Sequence, residues 1–234
     1  MDLDHTMVQT TYTTIMNHFI EHGRAPHFTQ LAGMLDMSIE EARQHQAKAA
    51  HLGVGCWLAH DTDLIESWAP FHNIPTQYRI TIKGEQKWYG QWGLESLAVR
   101  WLFPDQEIRL DVICLASGTP ITIRMKDEEI LEVTPDTVVG HLNVPFSKIS
   151  SGEASAAFAW TYMNLFRSED DVVNWEKYDP TSKVSIMPVS EWARIFSGPL
   201  FRNRLEPDIF EKRREYSIEF VKALAEAQQD AGFS

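Results

Sequence analysis

Trp92 and Glu95 lie three residues apart in GQWGLESLAVRWLF, a segment whose pattern predicts a helix ending before Pro104. Residues at that spacing share a helix face. A carboxyl desolvated against indole has its pKa raised, which suits it to general acid work near neutral pH. A second aromatic group comes from AAFAWTYMNLF, where strand alternation puts Phe158, Trp160, Tyr162 and Phe166 on one face. Eight tryptophans in the chain favour a small-molecule site with aromatic walls and few polar groups. The competing reading is a core in which the tryptophans simply pack and Glu95 bonds a neighbouring backbone group.

The other candidates carry less chemistry. Cys56 and Cys114 are too few for a disulfide framework, so a reduced state is expected, and each reads first as a small buried hydrophobe. His141, on the predicted strand DTVVGHLNV, either points into a site or is hydrogen-bonded structure. His18 and His22 are one helical turn apart but lack a third ligand at helical spacing, so no metal and no cofactor is expected.

The elements that must position these residues begin with MVQTTYTTIMNHFIEH, a helix stopped by Gly23. A short helix ending near Leu35 follows, then a turn at Asp36-Met37. A further helix is capped by Ser38 with Glu41 three residues on, completing a helix-turn-helix outline. Residues 60–76 read as a Pro- and Asp-containing connection with a domain boundary near 70. Strands are expected in YRITIK, EIRLDVIC and TPITIRM, the last two around a turn at Ser117-Gly118. A helix opening at Ser168 and running to about Tyr178, a short strand KVSIM and a helix starting near Pro188 come next. A charged amphipathic helix from Pro207 closes the chain, with Ile209, Ile218, Val221 and Leu224 inward. The expected division is 1–70, 71–206 and 207–234.

Thirty-three acidic against 21 basic residues give a net charge of -12, which disfavours nucleic acid and anionic membrane partners. Glu40 and Glu41 open the second helix of the outline, where a DNA reader carries basic and amide side chains. No long apolar run or signal-peptide pattern occurs, so a cytoplasmic protein is expected. A small organic molecule is the expected partner, and the exposed charges of the last helix read as solvated surface or a homodimer contact.

Four segments carry a family resemblance: GRAPHFTQLAGMLDM (23–37), WYGQWGLESL (88–97), CLASGTP (114–120), and FRSEDDVVNWEKY followed by VSIMPVSEWARIF (166–196). In order and spacing the chain resembles the organomercurial (alkylmercury) lyases. The resemblance implies an α+β fold, with an N-terminal winged-helix-like helical domain before a mixed β-sheet domain flanked by helices. It also implies a chemistry in which two cysteine thiolates grip mercury and an aspartate passes a proton to the leaving carbon. Thiolates suit that soft ion far better than oxygen or nitrogen ligands do. The matched positions here are Trp92 for the first cysteine, Glu95 for the aspartate, and Trp160, or Thr161 after a one-residue slip, for the second cysteine. Cys114 matches a cysteine of structural role. The resemblance thus implies an aromatic pocket in which Glu95 is catalytic and Trp92, Trp160, Tyr89, Thr161, Cys114 and Tyr162 bind substrate. Three functions remain open: proton-transfer, lyase-like chemistry on a non-mercurial substrate; a non-catalytic binding or sensor protein; and, least favoured, carbon–mercury cleavage with a single thiolate.

Overall fold

The computed structural model describes residues 3–142, 162–177 and 185–212, together with 215, 216, 218, 219 and 222. Helix α1 (His5–His22) starts where the Asp4 side chain accepts from the Thr6 amide, and it stops at Gly23, whose φ of 73° is the left-handed conformation glycine adopts freely. Its buried stripe of Val8, Tyr12, Ile15, Met16 and Phe19 has helical spacing. Helices α2 (Phe28–Met34) and α3 (Ile39–Leu52) each open on a reciprocal cap, His27 with Gln30 and Ser38 with Glu41.

The expected connection at 60–76 is instead part of a small antiparallel sheet of β1 (Cys56–Leu58), β2 (Ile65–Trp68) and β3 (Phe71–His72). Strands of two to four residues are too short to show alternation in a sequence. This sheet is held to α1 by the Trp68 indole, which donates to the Tyr12 carbonyl at 3.3 Å.

A five-stranded antiparallel sheet has the order β5-β4-β6-β7-β8, from β4 (Arg79–Ile82), β5 (Glu85–Tyr89), β6 (Ile108–Ile113), β7 (Pro120–Lys126) and β8 (Glu129–Thr134). Ile108, Leu110 and Val112 alternate inward opposite Met125, Ile123 and Ile121. The sequence pattern did not announce β8, because none of its side chains is buried. A second sheet has β9 (Val139–Leu142) between β10 (Met163–Phe166) and β11 (Ser185–Pro188), and all four residues of β9 are buried. The buried apolar side chains from Val8 to Tyr216 form one continuous core.

Three helices depart from expectation. The segment predicted as one helix over 90–103 is α4 (Gly93–Ser96) continued by a 3-10 turn over Leu97–Leu102. Nearly every residue from Gly93 to Leu102 is buried, so tertiary packing on all sides, not an amphipathic stripe, sets its path. α5 (Glu169–Val173) is capped by Ser168 as expected but stops well before Tyr178, with Trp175 turning into the core. After β11, α6 (Val189–Trp192), a π turn over Ala193–Ser197 and α7 (Gly198–Phe201) follow. In the closing helical segment Ile209 is buried as expected, whereas Ile218 is 47% exposed, and Tyr216, two turns after Ile209, takes the inward position instead. Val221 and Leu224 lie outside the described residues.

Candidate functional site

Two glycines place the short helix that carries Glu95. A side chain at Gly90 would meet Ser96 Oγ at 1.9 Å, and one at Gly93 would meet the Leu165 amide nitrogen at 2.8 Å and the Asn164 carbonyl carbon at 3.0 Å. Only hydrogen fits at either position, so α4 lies directly on β10. Ser96 Oγ donates back to the Trp92 carbonyl at 2.5 Å, and Gln91 Nε2, two residues before α4, donates to the Gly55 carbonyl just before β1 at 3.1 Å.

Glu95 is thereby fully buried, and neither carboxyl oxygen has a hydrogen-bond partner among the described residues. Burial pushes its pKa well above the ordinary 4.5, against the weaker opposing pull of its own backbone amide and of Arg204. The group is therefore a carboxylic acid rather than a carboxylate until the pH is well above that value. Trp92, half-buried at the N-cap of the same helix, also has an indole N–H without an acceptor among the described residues. Two buried polar groups with unspent hydrogen-bonding capacity thus lie within one turn of each other.

Tyr78 and Asn164 join this site without having been expected. The Tyr78 hydroxyl donates to Asn164 Oδ1 at 2.8 Å, and burial raises its pKa against the opposing hydrogen bond from Gln77. The signal was present: Tyr78 opens the alternation with Ile80 and Ile82, and a tyrosine at an inward strand position needs a partner for its hydroxyl. Asn164 stands across the sheet from His141. That imidazole lies edge-on to Phe166 and Trp175, at 5.6 and 5.8 Å between centroids, and burial lowers its pKa to about 4, so it is neutral at physiological pH.

The remaining candidates are dispersed. Tyr162 is half-buried against Trp175 at 6.2 Å. Tyr89 is half-buried on β5, where its neighbour Trp88 is the side chain that enters the core and donates to the Phe19 carbonyl at 2.9 Å. Trp160 and Thr161 lie outside the described residues. Cys114 is 1% exposed, and its thiol donates to Asp171 Oδ2 at 3.3 Å while accepting from the Arg167 amide at 3.5 Å. Cys56 donates to the Val54 carbonyl at 3.6 Å on the small sheet. Among the described residues no group of three or more His, Cys, Asp or Glu could hold a metal ion.

Asp171 ties Cys114, Ser117 Oγ (2.7 Å) and Arg167 Nη2 (2.7 Å) into one cluster. Burial raises its pKa, but the hydrogen bonds from Ser117 and Cys114 and the Arg167 guanidinium together hold it below the ordinary 3.8. A depressed carboxyl stabilises the fold above its unfolded value, and that contribution is lost as pH falls through the folded value. Asp171→Asn should therefore cost about 1.5–3 kcal/mol at neutral pH, the range for hydrogen bonds to a charged group. Urea titrations of both proteins between neutral pH and about pH 3 should show the difference shrinking with acid. A constant difference would assign the loss to packing.

The alkylmercury lyase family model matches residues 71–201, more than half of the chain. No curated protein matches by sequence. Among solved structures, the crystal structure of the mercury-bound form of MerB2 superposes with a TM-score of 0.62 at 17% identity, covering 86% of this chain and 100% of that one. That structural likeness concerns the fold, N-terminal helices with antiparallel sheets, while the family match rests on sequence. The chain belongs to the alkylmercury lyase family.

Proposed function

We propose that this chain delivers a proton to a non-mercurial organic substrate, with Glu95 as the general acid in lyase-like chemistry. The observation that carries the reading is the fully buried Glu95 carboxyl, which has no hydrogen-bond partner among the described residues and whose pKa burial raises. An acid held without partners is poised to give its proton to a departing atom and to be recharged from solvent after the product leaves. Trp92, one turn before Glu95 at the start of the same helix, supplies one wall of the substrate site. The first three helices and the small sheet form the winged-helix-like unit, and the protein works in the cytoplasm on a small molecule.

Mercury chemistry is disfavoured by the supply of soft ligands. The chain has two cysteines, and Cys114 spends its thiol on Asp171 while Cys56 lies on the small sheet by Val54. One thiolate cannot provide the two-coordinate grip that carbon–mercury cleavage uses. Purified protein given methylmercury in excess thiol should therefore release methane no faster than the thiol alone, as read by headspace gas chromatography. Turnover above that control would refute the reading. Native mass spectrometry of the purified protein is the direct route to a co-purifying substrate.

A further inference from the structure

Tyr78, just before β4, makes contacts that converge on the two glycines placing Glu95. Its carbonyl accepts from the Gly90 amide at 2.8 Å, and a Cβ at Gly90 would meet the Tyr78 Cβ at 3.2 Å. Thr76 Oγ1 completes this seat, donating to the Gly90 carbonyl at 2.7 Å and accepting from the Tyr78 amide at 3.2 Å. Three residues after Gly90, Gly93 opens α4 so close to β10 that a Cβ there would meet the Asn164 carbonyl carbon at 3.0 Å. The Tyr78 side chain spans these two points, from Gly90 at its Cβ to the Asn164 amide at its hydroxyl.

The hydroxyl spends its hydrogen-bonding capacity inside the protein. It donates its one proton to Asn164 Oδ1 at 2.8 Å and accepts from Gln77 Nε2 at 3.1 Å. The Gly93 amide, which has no partner within its own helix, acts on the same oxygen. Tyr78 is 1% exposed and Asn164 is fully buried, so removing this oxygen would withdraw a partner from β10 and from the start of α4 where water cannot replace it. With its proton given to Asn164, the hydroxyl has none to offer a reactant. Glu95, two residues after Gly93, is the opposite case, since neither of its oxygens has a partner among the described residues.

We propose that Tyr78 is the positioning residue for Glu95: by joining Gly90, the start of α4 and Asn164, it fixes the helix against β10 and keeps the carboxyl away from water. The proposal rests on the reading of Glu95 as the general acid. Without the hydroxyl, α4 is free to lift from β10, and water entering beside the carboxyl stabilises its ionised form. A phenylalanine at 78 would keep the ring packing and lose only the fastening.

The test titrates Glu95 itself in the full chain, by carbon NMR of protein labelled at the glutamate carboxyl carbons, with Glu95→Gln identifying the resonance. In the parent, Glu95 should titrate well above the ordinary 4.5. Tyr78→Phe should lower that midpoint by roughly one pH unit or more. Asn164→Ser, which removes the acceptor and leaves Tyr78 in place, should lower it too and keeps the test open if Tyr78→Phe folds poorly. The double variant should show less than the sum of the two shifts, because both break one contact. Ser38→Ala, which removes the cap of α3, controls for destabilisation alone and should leave the midpoint in place. A parent midpoint in the ordinary carboxylate range would overturn the acid reading and this proposal with it. A high parent midpoint that Tyr78→Phe and Asn164→Ser leave unchanged, or that Ser38→Ala lowers equally, would overturn the positioning role alone.

Discussion

Replacing Glu95 by glutamine should cut turnover of the native substrate by about a hundredfold or more, the usual scale for losing a general acid, while the fold stays intact. Glutamine keeps the size of the side chain and removes only the titratable proton. Because both oxygens lack partners among the described residues, the substitution breaks no hydrogen bond with them, and stability should hold or increase. The pH dependence gives an independent check. A carboxyl whose folded pKa lies above its unfolded value favours the fold most fully below the unfolded value, 4.5, and that preference is lost as pH rises through the folded value. Unfolding free energies should therefore fall from mildly acid toward neutral pH in the parent more steeply than in Glu95→Gln. The same group must be protonated to act, so kcat should fall as pH passes the folded value. A variant that retains demonstrated activity would remove Glu95 from the proton transfer. Altered ligand affinity with no turnover in either protein would instead identify a binding protein on this fold.

Trp192→Ala should destabilise the protein by about 3–5 kcal/mol, the range for truncating a large buried aromatic side chain. Trp192 is fully buried on α6, and its indole donates to the Gly140 carbonyl at 2.7 Å on β9. A Cβ at residue 140 would meet Trp192 Cδ1 at 2.1 Å, so the strand and the indole are fitted to one another across a glycine. The two positions should consequently be non-additive. Gly140→Ala should be costly in the parent, where the ring has no space to move, and much cheaper in the Trp192→Ala background, where the added methyl enters the vacated volume. Chemical denaturation of the four proteins of this cycle measures the coupling. Additive losses would mean that β9 and α6 do not share this contact.

What was legible in the sequence was mostly local or periodic. The stop at Gly23, the Ser38–Glu41 cap, the turn at Gly118 and the inward alternation of Ile108, Leu110 and Val112 each depend on neighbours within a few residues. Short-range rules therefore sufficed for them. The family and its α+β fold were readable for a related reason, because the resembling segments keep their order and spacing along the chain, and the three at 88–97, 114–120 and 166–196 fall within the matched residues 71–201. The same resemblance offered Glu95, one turn after Trp92, as the candidate acid.

Tertiary structure alone decided the environment of these residues. Glu95 is buried, with no partner for either oxygen among the described residues, on a helix that the bare Cα of Gly93 lets lie against Leu165 and Asn164 and that of Gly90 lets Ser96 fold back beside, and no spacing rule near residue 95 contains that information. The small sheet at 56–72 and the exposed strand β8 also escaped, since their pairing depends on backbone partners and not on a buried stripe. Cys114 meets Asp171 57 residues away, Tyr78 meets Asn164 after 86, and Arg204 reaches Tyr12 across 192. In the unfolded chain such groups are apart in water, and the cost of closing those loops is met only when the whole core forms. Desolvation accompanies that closure, so the raised pKa of Glu95 exists only in the folded molecule.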